Sequence, residues 1–278
     1  MASSSSRFLI IAQPRTGSST LLEFLHSAGA RVRYEPFHLE RKRFGAASPG
    51  ALVAYARSLW DNNGGGLVGW KEMFHDDESC AQLLGPPAGA PFPRLIRELG
   101  VRVVVLARNN LVAQSVSALY AAHAAAHVEA AAPSACTSLS VWVGNCSVRP
   151  PPLALGLRRL HAKMRVFSDM GRRHARFVAR ARLSALRVTF ESLMTRGRPT
   201  LRAVCAWVNA GAACSEELLR ALPLRRQSDG EYARALAKRV ENVDLLAAAF
   251  ADTCFAEQFA VAYPRQPCAS RPWAREWD

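Results

Sequence analysis

Apolar positions along this chain of 278 residues follow two rhythms. Short apolar runs stand at 7–12 (RFLIIA), 67–71, 101–107 (VRVVVLA) and 186–190, with a briefer one at 31–34. Their length and their Val, Ile and Leu content predict strands buried in a sheet. Between them, spacing near 3.6 residues predicts helices over 18–28, 51–60, 94–99, 110–131 and 153–183. Gly29 reads as the stop of the first helix. Residues 62–66, 85–93 and 133–152 are Gly- or Pro-rich and read as turns, a loop and an irregular insert. Beyond 190 the pattern is helical, up to a Pro/Arg-rich tail from Pro264. Strands alternating with helices predict a three-layer α/β/α domain around a central parallel sheet. The length suits one domain over 1–278, with its core at about 7–263.

Composition narrows the class. Half of the residues are hydrophobic, so a large core is available and whole-chain disorder is excluded. No apolar run reaches the ~18–20 residues of a membrane span. The apolar stretch at 8–12 is too short for a secretory leader, and Gln13-Pro14-Arg15 breaks it. A cytoplasmic location is therefore expected. Seven cysteines occur with no CxxC pair and no Cys/His cluster at zinc spacing. Reduced thiols are the expectation, with a Cys136–Cys146 bridge as the alternative in an oxidising compartment.

The net charge is +14, carried by arginine, since lysine occurs only at 42, 71, 163 and 238. Such a charge suits a polyanion: nucleic acid, nucleotide or an acidic surface. An excess of alanine and arginine also follows from GC-rich coding, so the total does not choose among partners. Aromatic residues make up 8%, with no exposed aromatic stripe of the kind an RNA-binding protein uses.

Specific chemistry begins after the first strand, at Gln13-Pro14-Arg15-Thr16-Gly17-Ser18-Ser19-Thr20. A small-residue turn leading into a helix offers backbone N–H groups and a positive helix end to an anion. A nucleotide kinase or GTPase carries G-x-x-x-x-G-K-[ST] at this place. Here Ala12 replaces the first glycine, Ser18 replaces the lysine, and Arg15 stands inside the loop. The alternative is a polar turn in which Ser18 or Thr20 caps the helix.

A second candidate follows the strand at 101–107. Arg108 stands at its carboxyl end, then Asn109 and Asn110. At about 100° per residue, Asn110, Ala113, Gln114, Ser117 and Ala121 share a small, polar face. Val112, Val116 and Leu119 form the opposite stripe, with Ser115 leaning toward it. Arg108 with a helical serine can grip one phosphate, Ser117 being favoured over Ser115.

Together, the loop 14–19 and Arg108 with Ser117 resemble the sulfotransferases that use 3′-phosphoadenosine 5′-phosphosulfate. Within them the chain is most similar to the trehalose-sulfotransferase-like and carbohydrate sulfotransferase branch. That branch has P-R-[ST]-G-[ST] in the loop and R-R-x-x-x-x-Q-x-V-S in the second motif. Here the second motif runs from Arg108 to Ser117, with Asn109 at the second basic position. Tyr34-Glu35-Pro36-Phe37 resembles the segment that carries the branch's acidic base. Residues 188–193 (VTFESL) resemble a late strand-and-turn, and Arg225-Arg226-Gln227-Ser228 a C-terminal basic loop.

The resemblance implies a P-loop nucleoside triphosphate hydrolase-like fold and a sulfotransferase acting on the hydroxyl of a carbohydrate or small alcohol. It implies that Arg15, Thr16, Gly17, Ser18, Ser19 and Thr20 hold the 5′-phosphosulfate. Arg108 and Ser117 hold the 3′-phosphate, and Arg225 or Arg226 closes over the nucleotide. Glu35 is the expected base, with His38 as rival, and Lys71 the expected stabiliser of the leaving group. No metal is required, and no nucleic-acid partner is expected. Arg15, Glu35, Lys71, Arg108 and Glu191 all fall at or past strand ends, where open parallel sheets bind ligands. Glu191 reads as structural, and His75 as a surface residue. Arg158, Arg159, Arg165, Arg172 and Arg173 read as a solvated helix face. The competing readings are a small-molecule kinase with a degenerate loop and a basic RNA-binding protein.

Overall fold

A computed structural model describes residues 6–39, 48–61, 66–73, 91–131, 150–210, 214–221, 227–264 and 268. They belong to two compact units, Met1–Arg108 with Ser168–Arg225, and Asn109–Phe167 with Arg226–Asp278. Length alone led to the expectation of one domain. The strands are β1 (Ser6–Ala12), β2 (Arg31–Tyr34), β3 (Leu67–Glu72), β4 (Arg102–Ala107) and β5 (Ala185–Thr189). The described helices are α1 (Ser18–Ser27), α2 (Pro36–Leu39), α3 (Pro49–Asp61), α4 (Pro91–Glu98), α5 (Leu111–Ala131) and α6 (Leu157–Arg180). They continue with α7 (Phe190–Thr195), α8 (Gly197–Trp207), α9 (Glu216–Ala221), α10 (Asp229–Ala237), α11 (Val243–Ala249) and α12 (Ala256–Ala260). None is long and apolar enough to cross a membrane.

The first unit holds the sheet, all parallel, in the order β2-β3-β1-β4-β5. The central strands β1 and β4 are apolar on both faces because both faces are covered. Leu9, Ile11, Val68, Trp70 and Val103 pack on one side with residues of α3, α4 and the end of α6. Phe8, Ile10, Ala12, Val104 and Leu106 pack on the other with α1, α7, α8 and α9. Helices therefore lie on both faces of a parallel sheet, as the alternating pattern predicts. The chain leaves β1 toward β3 and β2, then passes to β4 on the other side of β1. That makes the carboxyl end of β1 the switch point of the sheet, the usual ligand crevice of such folds.

Several element ends differ from expectation, and three of them have a clear local cause. Phe190 opens α7 instead of closing β5, because Thr189 and Ser192 form a reciprocal capping box. Helix α4 begins at Pro91, where a proline suits the first turn. Leu153 does not start α6; its N–H donates to the Arg239 carbonyl (2.8 Å), and it bridges Val240.

In the second unit α5 packs with residues of α6, α10, α11 and α12 around Val112, Val116, Leu160, Met164, Leu236 and Phe250. Asn110 caps α5 by accepting from Ala113 N–H (2.8 Å) and donates to the Val261 carbonyl (3.0 Å). The polar face expected on α5 is thus not open: Asn110 and Gln114 are buried. The chain after α10 covers the start of α5, and Asn110 satisfies its carbonyls.

The expectation of reduced thiols is corrected. Cys205 is bonded to Cys214 in the first unit and Cys254 to Cys268 in the second. Cys136 and Cys146 lie outside the described residues. Arg158, Arg159, Arg165, Arg172 and Arg173 are exposed along α6, the solvated face that was expected.

Candidate functional site

The loop from Gln13 to Gly17 turns the end of β1 into α1. Two of its residues take left-handed backbone, Arg15 (φ 65°) and Gly17 (φ 76°). For arginine this conformation costs ~1–2 kcal/mol, so the surroundings must hold it. Thr16 is fully buried and its hydroxyl donates to the Gln13 carbonyl (2.8 Å). Its hydroxyl, expected on the ligand, is engaged inside the loop. Gln13 is itself buried, with its amide against the backbone of Gly171 on α6.

Gly17 is the N-cap of α1 and makes no side-chain cap bond, and among the described residues neither Ser18 nor Thr20 takes that part. The first turn of α1 presents amide N–H groups at the carboxyl edge of the sheet, the usual anion-binding end of a helix. Ser18 is buried, while Ser19 and Thr20 are exposed on that turn.

Arg108, just past β4, reaches the same loop. Its Nη1 donates to the Arg15 carbonyl (3.1 Å), and its guanidinium lies 4.3 Å from the centre of the Phe190 ring. The same ring closes on Gly17: a Cβ there would stand 2.9 Å from Phe190 Cδ2. Phe190 thus ties the ends of β1, β4 and β5 together. Sequence reasoning placed it in the last strand and gave it no role. The signal available was an aromatic residue directly after that strand. Glu191, beside it, is buried in the first turn of α7, consistent with a structural part.

A second cluster lies at the ends of β2 and β3. Lys71 is buried, and its ammonium is ion-paired with Glu35. Glu35 has left-handed backbone (φ 45°), and its N–H donates to the Lys71 carbonyl (2.8 Å). The next strand residue, Glu72, is fully buried and accepts from the Phe37 N–H (3.1 Å) through Oε2. Burial, aided by the Glu35 charge, pushes the Glu72 carboxyl up to about 8; the Phe37 N–H and Lys71 oppose the rise. The rise favours the protonated carboxyl of Glu72 at neutral pH. Glu72 was not among the expected site residues, although a carboxylate ending a buried strand was its signal.

Thus Arg15–Thr20, Glu35, Lys71 and Arg108 all stand along one edge of the sheet in the first unit. Ser117 is half-buried on α5 of the second unit, and Ser115 is fully buried there with no hydrogen bond from Oγ among the described residues. Arg225, Arg226 and His75 lie outside the described residues, as does the side chain of His38. No protein-family model matches the chain, and no curated protein matches it.

Proposed function

We propose that the protein transfers a sulfuryl group from 3′-phosphoadenosine 5′-phosphosulfate to an acceptor hydroxyl of a carbohydrate or small alcohol. One observation carries this reading. The loop after β1 opens onto a helix whose N-cap is a glycine, and it holds an arginine in left-handed backbone where a nucleotide kinase has a glycine-lysine loop. That arrangement suits an anionic phosphosulfate without the lysine that serves a triphosphate.

In this reading the amides of α1, Arg15 and the hydroxyls of Ser18 and Ser19 hold the 5′-phosphosulfate. Arg108 carries positive charge beside the loop for the 3′-phosphate. Glu35 takes the proton of the acceptor hydroxyl as its oxygen bonds to sulfur. The bond from sulfur to the phosphate oxygen breaks, and 3′-phosphoadenosine 5′-phosphate leaves. Lys71 holds the Glu35 carboxylate through its ion pair. Charge builds on the leaving oxygen, so fixed donors supply most of the rate.

Thermal unfolding with added nucleotides tests the reading. 3′-Phosphoadenosine 5′-phosphate is expected to raise the melting temperature without magnesium, and ATP to leave it unchanged. Stabilisation by ATP with magnesium instead would favour a kinase. Turnover with labelled sulfate donor over a panel of sugars, glycans and small alcohols then identifies the acceptor.

A further inference from the structure

The β2–α2 connection is held from two sides by the end of one strand. In β3 the side chains of Lys71 and Glu72 alternate across the sheet, as any two successive strand residues do. Register pairs Lys71 with Ile10 and Glu72 with Ile11. Lys71 grips Glu35 twice, through its ammonium on the carboxylate and its carbonyl on the Glu35 N–H. Glu72 grips the chain two residues on, through Oε2 on the Phe37 N–H (3.1 Å).

The segment so held needs holding. Glu35 is a non-glycine residue with φ 45°, a conformation that persists only where neighbours impose it. Phe37 packs into the core with Trp70 and Tyr55, so the far side of the turn is anchored as well. Glu72 is fully buried. A buried carboxyl is costly, and a glutamate kept here for packing alone is better replaced by an apolar residue.

We infer that Glu72 is a positioning residue: by accepting from the Phe37 amide it fixes the left-handed turn that carries Glu35 at the edge of the sheet. The inference rests on the proposed sulfuryl transfer for its catalytic consequence, and on geometry alone for the clamp. Glu72 works here as a neutral acceptor, consistent with burial holding its carboxyl protonated up to about pH 8. A neutral isostere therefore does the same task, and a side chain without an acceptor does not.

Two variants, Glu72→Gln and Glu72→Ala, and two readouts test this. The first readout is amide hydrogen exchange of the peptide that contains Phe37, which needs no substrate. Exchange is expected to speed up about tenfold or more in Glu72→Ala and to stay near the wild-type rate in Glu72→Gln. The second is turnover with the sulfate donor. Glu72→Ala is expected to lose about 10–10²-fold in kcat, with KM for the donor within about twofold and the nucleotide-induced rise in melting temperature intact. Glu72→Gln is expected to recover most of that loss. Unchanged exchange or unchanged kcat in Glu72→Ala overturns the inference, as does a Gln variant as damaged as Ala. A wild-type protein that neither binds the nucleotide nor turns over overturns the sulfotransferase reading instead, and exchange at Phe37 still decides the clamp.

Discussion

Arg108 donates a hydrogen bond to the main-chain carbonyl of Arg15, 3.1 Å away, while its guanidinium lies over the ring of Phe190. The residues are far apart in sequence, yet one side chain joins the ends of β1, β4 and β5. The contact places two arginines at the carboxyl end of the strand where the sheet order reverses. A charge-assisted bond to a carbonyl contributes about 1.5–3 kcal/mol and the ring stack about 0.5–2. Replacing Arg108 by Ala is expected to weaken 3′-phosphoadenosine 5′-phosphate binding roughly 10–100-fold, measured by calorimetry. Arg108→Lys should fall between the two, because it keeps the charge and loses the planar fork.

Arg15 carries the sharper consequence for rate. If it faces charge developing on the leaving group, Arg15→Ala loses on the order of 10²–10³ in kcat while the circular dichroism spectrum stays native. Full turnover in that variant removes the loop from the site.

Two glycines separate conformational strain from lack of space. Gly17→Ala meets left-handed backbone and the Phe190 ring at 2.9 Å, and the expected loss is about 1–3 kcal/mol in urea unfolding. Gly69→Ala meets the Phe8 carbonyl oxygen at 2.4 Å and its ring at 2.6 Å. A strand carbonyl cannot rotate away, so Gly69→Ala is expected to be the more damaging and to reduce soluble yield.

The buried Glu72 makes stability depend on pH with a definite sign. Its carboxyl titrates at about 8 when folded, against 4.5 for an ordinary glutamate. Between those values the folded chain binds the extra proton, so stability falls as pH rises through that window and levels off above it. The span is on the order of a few kcal/mol. Urea midpoints measured from pH 5 to 9 are expected to fall less in Glu72→Gln than in wild type. An equal fall in both places the pH dependence elsewhere.

The Cys205–Cys214 bond closes a loop of sequence separation 9, and the chain-entropy relation gives about 2.5 kcal/mol for such a loop. Reductant, or Cys205→Ser with Cys214→Ser, is expected to lower the melting temperature by several degrees. A non-reduced digest should contain the peptides of Cys205 and Cys214 joined. Free thiols at both positions would overturn the Cys205–Cys214 bond.

By itself the sequence determined the sheet and the place of the loop. Runs such as RFLIIA and VRVVVLA are dense in apolar residues on both faces, the pattern of a covered parallel strand. The turn from Arg15 to Gly17 was legible because a local pattern of arginine, glycine and hydroxyls lies between strand and helix. Tertiary structure alone decided which side chains meet there. Phe190 serves Gly17 and Arg108 because β5 lies beside β4, a pairing no local pattern encodes. The Glu72 carboxyl is pushed up because β3 is interior to the sheet and the side chain is buried. Asn110, polar on a helical wheel, is buried because a distant segment supplies the carbonyls. Periodicity records what one segment prefers; contacts between segments far apart in the chain fix charge, strain and position.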